Sequence, residues 1–147
     1  MKGTSLKALR SIRARKGQSL VEAVVAIGIA LIVVTGLVVL AVGAVRSATL
    51  SRNRSVAVQY AQEGLEALRS VRDRDFTDLP DSGTNKLFWD GSQWNAISGS
   101  EAIDLYSRSF TSSLISPGKI KIVMTVGWAD SAGSHTLDLT TYLTDWQ

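Results

Sequence analysis

The feature that most constrains this chain is an uncharged, strongly apolar run from Ala23 to Val45, 23 residues long. At about 1.5 Å per residue a helix of that length spans about 35 Å, against a bilayer hydrocarbon core of about 30 Å. The run is also longer than the roughly 7–15 apolar residues of an ordinary secretory signal. It therefore predicts a helix that crosses a lipid bilayer once, as a single transmembrane segment.

Charge is distributed unevenly around this run. Residues 1–17 hold six of the 16 Lys and Arg residues and no acid, which leaves 10 basic against all 13 acidic residues from Gln18 onward. Three arginines, Arg46, Arg52 and Arg54, follow the run, but six against three still predicts a cytoplasmic N-terminus. A basic leader beside a membrane span is typical of a membrane anchor, so no nucleic-acid partner is predicted.

The junction between leader and span carries a short motif. It reads Lys16-Gly17-Gln18-Ser19-Leu20-Val21-Glu22, and the apolar run begins at the next residue. A lone carboxylate at the mouth of a membrane helix is costly, so Glu22 requires an explanation. Either Glu22 is solvated at the headgroup level, or it pairs with a cation as the helix leaves water.

This arrangement resembles the N-terminal signal of type IV prepilins and pseudopilins. The resemblance implies that a prepilin peptidase cleaves between Gly17 and Gln18 and methylates the new N-terminus at Gln18. It implies that Glu22 assembles the filament by pairing with the N-terminal ammonium of a neighbouring subunit. The family most often has phenylalanine where this chain has Gln18.

The resemblance also implies a function, a location and partners. The chain would be a structural subunit of a type IV pilus or of a type II secretion-like pseudopilus. It would start as a single-pass, N-in protein of the cytoplasmic membrane and end in an extracytoplasmic filament. Its partners would be the prepilin peptidase, other pilin or pseudopilin subunits, the inner-membrane assembly platform and the lipid bilayer. The segment Gln62–Asp73 is similar to the helix end of minor pilins and pseudopilins, although less specifically.

Other interpretations of the N-terminus remain open. Val42-Gly43-Ala44 loosely suits a conventional signal peptidase, whose cut would release a soluble domain. An uncleaved anchor would instead hold an extracytoplasmic binding domain that does not assemble. An adhesin or DNA-uptake tip subunit would share the prepilin processing, but nothing in the mature chain is strongly basic.

Beyond the span, apolar residues recur at helical spacing up to Arg74. Their positions, three and four residues apart, form one stripe: Ala57, Ala61, Leu65, Leu68 and Val71. We expect one continuous helix over residues 18–74, with two helices broken near residues 47–53 as the alternative. The predicted organisation is a leader (1–17), a transmembrane and assembly half (18–45), an amphipathic helix (46–76) and an antiparallel head (77–147).

The head carries strand patterns. Leu87–Trp89 and Gln93–Trp94 flank an Asp90-Gly91-Ser92 turn, which is typical of a hairpin. Further strands are predicted at residues 104–110, 119–128 and 135–143, with a turn at residues 130–134 and the last two strands as the firmest pair. The fold class is α+β, a long helix packed on a small antiparallel sheet. The four tryptophans are expected to cover a thin core, with a ligand groove as the alternative.

No catalytic, cofactor or metal site is predicted. The chain has no cysteine and a single histidine, His135, and it lacks the motifs of hydrolases, phosphate loops and zinc proteases. Asp75, Asp78 and Asp81 near Asp73 could chelate calcium, but their spacing differs from that of an EF-hand loop. We expect the chain to be the substrate of an enzyme, and not itself an enzyme.

Overall fold

The computed structural model describes the backbone from Ser5 to Asp145 and the side chains from Gln18 to Asp145. It contains a helix α1 (Ser5–Arg74), a short 3-10 helix (Phe76–Asp78) and six strands. The strands are β1 (Thr84–Trp89), β2 (Trp94–Ser98), β3 (Glu101–Ile103), β4 (Tyr106–Ser116), β5 (Lys119–Asp130) and β6 (Gly133–Thr144). The chain divides into two compact units, Met1–Thr49 and Leu50–Gln147.

In the first unit the described residues belong to α1 alone. Two hydroxyl side chains bond back to the helix, Thr35 Oγ1 to the Leu31 carbonyl at 2.8 Å and Thr49 Oγ1 to the Val45 carbonyl at 3.0 Å. Their hydroxyls therefore have an acceptor without water, which apolar surroundings require. The helix assignment runs through residues 47–53 without a break, so the prediction of one helix is confirmed.

In the second unit six strands form one antiparallel sheet. The strand order is β2-β1-β4-β5-β6, with β3 paired to β4 at the side of this path. The β5–β6 ladder is the longest, joining all twelve residues of β5 to β6 from Lys119↔Thr144 to Asp130↔Gly133. This confirms the expected pairing of the last two strands and the α+β class.

The core of the second unit lies between α1 and one face of the sheet. The apolar stripe predicted for the helix is buried along its whole length, from Ala57 to Val71. It meets alternate residues of β5, which the period of two in a strand places on one face. These sheet residues are Ile120, Ile122, Met124, Val126 and Trp128. Alanine at positions 57 and 61 leaves room for the strands, because its side chain is a single methyl group.

Several details of the head differ from the sequence prediction. Strand β3 was not predicted, and β4 begins at Tyr106 and runs to Ser116 instead of covering residues 104–110. Asp104 has φ 51°, in the left-handed region, so it turns the chain and does not extend it. The expected loop at residues 130–134 is tighter, because Asp130 and Gly133 already pair.

The tryptophans divide between core and surface. Trp128 is buried and Trp94 packs against the core, as expected for residues that cover it. Trp89 is 49% exposed, so the prediction is wrong for this residue. It stands opposite Trp94 on the β1–β2 hairpin with its ring edge-on to that indole. Trp146 lies outside the described residues.

Gly64 is the point of closest approach between α1 and the sheet. A Cβ placed on Gly64 would lie 2.8 Å from Met124 Cε and 3.3 Å from Arg108 Cδ. Both neighbours are buried, with exposed fractions of 0% and 2%. The missing side chain therefore makes room for two side chains of the sheet that have little space to move.

We predict that Gly64→Val destabilises the head by about 2–3 kcal/mol, because overpacking a closed core costs about 1–3 kcal/mol and valine adds more than one carbon. Denaturant unfolding of the full chain in detergent, followed by tryptophan fluorescence, measures this change. Gln59→Val, on an exposed helix position, is the matched control and should cost less than 1 kcal/mol. Equal losses for the two variants would contradict the role given to Gly64.

Candidate functional site

The apolar half of α1 has no protein cover. Its aliphatic side chains are exposed on every side of the helix, for example Leu20 at 67%, Ile32 at 75% and Leu40 at 71%. None of the residues from Gln18 to Leu50 is buried. A helix that is apolar all round is normally buried in lipid or in a helical bundle. By length and composition this helix can span a membrane.

Glu22 interrupts this apolar surface. Together with Gln18, Val21 and Val25 it borders one shallow groove along the helix. The spacing of three and four residues places these side chains on a single face. Glu22 is exposed, and among residues 18–145 no ion pair involves it.

The structure describes only some of the predicted cleavage and assembly residues. The structure brings Gln18 and Glu22 to the same face of the helix, four residues apart. Gly17 and the basic leader lie outside the residues whose side chains are described. The peptidase site therefore stays a sequence prediction, as do the methylation of Gln18 and the assembly role of Glu22.

The head contains a buried cation that was not predicted from the sequence. Arg108, on the inner face of β4, donates from Nε and Nη2 to Glu101 Oε2 at 3.0 and 2.7 Å. Its Nη1 donates to the Tyr60 carbonyl of α1 at 3.0 Å and lies 3.7 Å from Glu63 Oε1. Arg108 thus joins β3, β4 and α1 at the place where Gly64 leaves room. An arginine at an inward-facing position of an alternating strand was the signal available in the sequence.

The end of the sheet nearest Leu50 carries an aromatic cluster. The Tyr106 ring lies edge-on to Tyr60 at 5.3 Å and tilted to Trp128 at 6.1 Å, and the indole of Trp128 stacks on His135. The Tyr106 hydroxyl donates to the Asn53 carbonyl at 3.3 Å. Burial raises the pKa of Tyr106, with a further contribution from Tyr60, and the charge of Arg52 opposes this shift.

Aspartates organise the turns of the head. The Asp90 carboxylate accepts from the Ser92 and Gln93 amides, both at 2.9 Å, and from Asn95 Nδ2 at 2.8 Å. These bonds, the two amides first, hold the pKa of Asp90 far below its ordinary value. The pKa of Asp130 is lowered first by the Ala132 amide and next by the hydrogen bond with His135.

We predict that the head loses stability in acid through these turns. A carboxylate with a depressed folded-state pKa stabilises the fold above its unfolded pKa of about 3.8, and the contribution is lost as pH falls toward the folded pKa. The melting temperature should therefore be flat from about pH 7 to pH 5 and fall below about pH 4. Asp90→Asn should lower the plateau and flatten the fall, whereas Asp104→Asn, at an exposed position outside these two turns, serves as a control. A fall unchanged in Asp90→Asn would contradict this assignment.

The acidic residues considered as calcium ligands make hydrogen bonds and ion pairs within the protein. Asp75 accepts from the backbone amide and the hydroxyl of Thr77, at 2.8 and 2.7 Å. Asp78 pairs with Arg74 at 2.7 Å, and Asp73 pairs with Arg72 at 2.7 Å. Within residues 18–145 no group of three His, Asp or Glu side chains is placed to hold a metal ion.

Together these elements define a class of architecture. A long N-terminal apolar helix whose second half packs on a C-terminal antiparallel sheet is a pilin-like arrangement. Comparison of the chain with protein-family models, with curated proteins and with solved structures finds no match. The structure therefore defines the architecture of this protein and no specific family.

Proposed function

We propose that this chain is a type IV pilin-like subunit of a pilus or secretion pseudopilus, processed after Gly17 and assembled through residues 18–45. The observation that carries the proposal is the uncovered apolar half of α1 with Glu22 near its start. A bilayer can cover this surface before assembly, and the apolar helices of other subunits can cover it afterwards. Burial of the aliphatic side chains stabilises both states.

Glu22 gives the assembly step its chemistry. In a bundle of apolar helices an unpaired carboxylate is costly, and an ammonium group in contact with it offsets that cost. Cleavage after Gly17 would create such an ammonium at Gln18. Because Gln18 and Glu22 share a face of one helix, an axial shift between two neighbouring copies brings the amine of one to the carboxylate of the other. The predicted methylation would keep the amine charged.

The proposed partners follow from this route. The prepilin peptidase would remove the leader at the cytoplasmic side, and the inner-membrane assembly platform would extract the subunit into an extracytoplasmic filament. In the second unit the helix stripe is instead buried against the sheet. A single-pass anchored binding domain that does not assemble is the alternative, and it predicts that residues 1–17 stay attached.

The test is the N-terminus of the mature protein in its native host, read by mass spectrometry. We expect a chain that begins at Gln18 and carries one methyl group on its amine. Gly17→Val should abolish this product, because the added branched side chain stands at the cut, whereas the matched leader variant Gly3→Val should retain it. An intact leader would show a static anchor, and a start at Val45 would show a secreted domain. Either result would exclude the proposed function.

A further inference from the structure

A cationic surface lies on the face of the sheet that is turned away from α1. Lys119 and Lys121 are two positions apart on β5, so their side chains share this face, whereas Ile120 between them is buried on the other. Tyr142 of β6 pairs with Lys121 in the ladder and is 53% exposed. The Lys119 ammonium lies 5.1 Å from the centre of the Tyr142 ring. We call Lys119, Lys121 and Tyr142 the lysine–tyrosine surface.

The charge of this surface is only partly balanced within the head. Among residues 18–145 no ion pair involves Lys119 or Lys121. Asp138, further along β6, already accepts a hydrogen bond from β5 at 2.7 Å. Asp145 follows β6 at the same end of the sheet, and two lysines against this one aspartate leave a net charge of +1. The lysine–tyrosine surface is therefore suited to an anionic partner.

The opposite charge is found in the segment that joins α1 to β1. Residues 72–83 contain four aspartates and two arginines, a net charge of −2. Both arginines pair with aspartates of this segment. Asp75 and Asp81 are exposed, and within the described part of the chain neither has an ion pair. We call residues 72–83 the acidic segment.

The two surfaces lie on opposite sides of β4. The acidic segment leads into β1, whereas the lysine–tyrosine surface belongs to β5 and β6, and the strand order places β4 between them. One copy of the head therefore presents positive charge on one side and negative charge on the other. A contact between two different surfaces of identical chains is heterologous, so it can repeat from copy to copy. Such repetition is how identical subunits build a filament.

We propose that the lysine–tyrosine surface of one copy binds the acidic segment of a second copy, through ion pairs to Asp75 and Asp81. Pro80, half-buried beside Asp81, meets the exposed ring of Tyr142 at the centre of this contact. An aromatic centre with a polar, charged rim is typical of protein interfaces. The contact adds to the cohesion that residues 18–45 supply. This inference rests on the proposed function, because assembly into a filament brings the heads side by side.

The experiment uses filaments sheared from the native host, with cysteines introduced in pairs because the chain has none. Ser82→Cys lies in the acidic segment, and Thr144→Cys lies opposite Lys119 in the β5–β6 ladder. A short bismaleimide should join neighbouring copies of this variant into a ladder of multimers on a denaturing gel. The matched pair Ser82→Cys with Ser134→Cys moves the second cysteine to the other end of β6, on the same face, and should give no ladder.

Charge reversal tests the ion pairs directly. Lys119→Glu with Lys121→Glu should lower the crosslinked fraction about tenfold or more, because each exposed ion pair is worth up to about fivefold in an equilibrium constant. Thr77→Lys with Asp81→Lys reverses the charge of the acidic segment, keeps Asp75 as the cap of the 3-10 helix and should have the same effect.

A matched control and a rescue complete the design. Arg52→Glu with Arg54→Glu reverses two other exposed charges of the head and should leave the crosslinked fraction nearly unchanged. The two chains with reversed charge are then produced together, with Thr144→Cys in the lysine variant and Ser82→Cys in the acidic-segment variant. Each now carries the charge that the other lost, so the crosslink between these two chains should return.

The possible outcomes separate the inference from the proposed function. If filaments form but Ser82→Cys with Thr144→Cys gives no ladder, or if the two reversed chains do not crosslink to each other, the inference is wrong and the proposed function is unaffected. If the arginine reversal matters as much as the lysine reversal, or if the cysteine at position 144 crosslinks to a different protein, the inference is again wrong. If the leader stays attached and no filament contains this chain, the proposed function fails and the inference fails with it.

Discussion

Glu22→Leu is expected to leave the chain in the membrane and to stop its assembly into filaments. The substitution removes one charge from the mouth of an apolar helix, so insertion should be unimpaired or improved. Assembly would leave the Gln18 ammonium of the neighbouring subunit without its partner in an apolar bundle. Removing one partner of a buried ion pair costs about 3–5 kcal/mol, which lowers incorporation by about two to three and a half orders of magnitude.

Filament yield after mechanical shearing, compared with the membrane-bound pool, measures this effect. Glu22→Asp keeps the charge and should retain most assembly, whereas Glu22→Gln keeps the shape without the charge and should behave like Glu22→Leu. A control at Gln59, on an exposed part of the helix, should have no effect. If Glu22→Leu forms as many filaments as the parent chain, Glu22 is not needed for assembly. Solvation at the headgroup level would then explain how the helix tolerates this carboxylate.

The second large effect is expected in the head, where Glu101→Ala should destabilise the fold by about 3 kcal/mol. The Arg108 side chain is 3% exposed, so it cannot recover water when Glu101 is removed. Its remaining anionic neighbour, Glu63 at 3.7 Å, is half exposed and too distant for a good hydrogen bond. The free energy of unfolding in denaturant, from tryptophan fluorescence, measures the loss.

Two further variants separate the ion pair from the packing. Replacing both partners, Glu101→Leu with Arg108→Met, should be nearly neutral, because a buried pair exchanged for apolar groups of similar volume loses little. Glu66→Gln breaks the exposed pair with Arg69 and should cost less than 1 kcal/mol. Equal costs for Glu101→Ala and Glu66→Gln would show that Arg108 is solvated in solution.

Much of this fold was predictable because its signals are periodic. The stripe from Ala57 to Val71 repeats at helical spacing, and β5 and β6 alternate over their length. Each pattern arises because one face of the helix or strand is buried. The spacing of apolar residues that marks this face can be read from the sequence alone. The short strand β3 has no such pattern. Its three residues are held by pairing with β4 and by the hydrogen bonds that Arg108 donates to Glu101, both of which depend on tertiary structure.

The site divides in the same way. The motif around Gly17 and Glu22 is contiguous, so the sequence displays it without the fold. The contact between Tyr106 and Asn53 joins residues about fifty positions apart, and only the tertiary structure brings them together. The role of Gly64 could not be predicted from the sequence either, because it depends on the side chains of the sheet that pack against this part of the helix.

The last strand has a practical consequence for work on the isolated head. Among the described residues β6 pairs only with β5, so one side of a twelve-residue strand offers free amides and carbonyls. This strand contains no lysine, arginine or proline, which are the residues that usually keep such an edge from recruiting another chain. A fragment without residues 1–49 should therefore oligomerise as its concentration rises. A lysine at Thr140, on the outward side of β6, is the first change to make when the head is prepared for crystallisation or NMR.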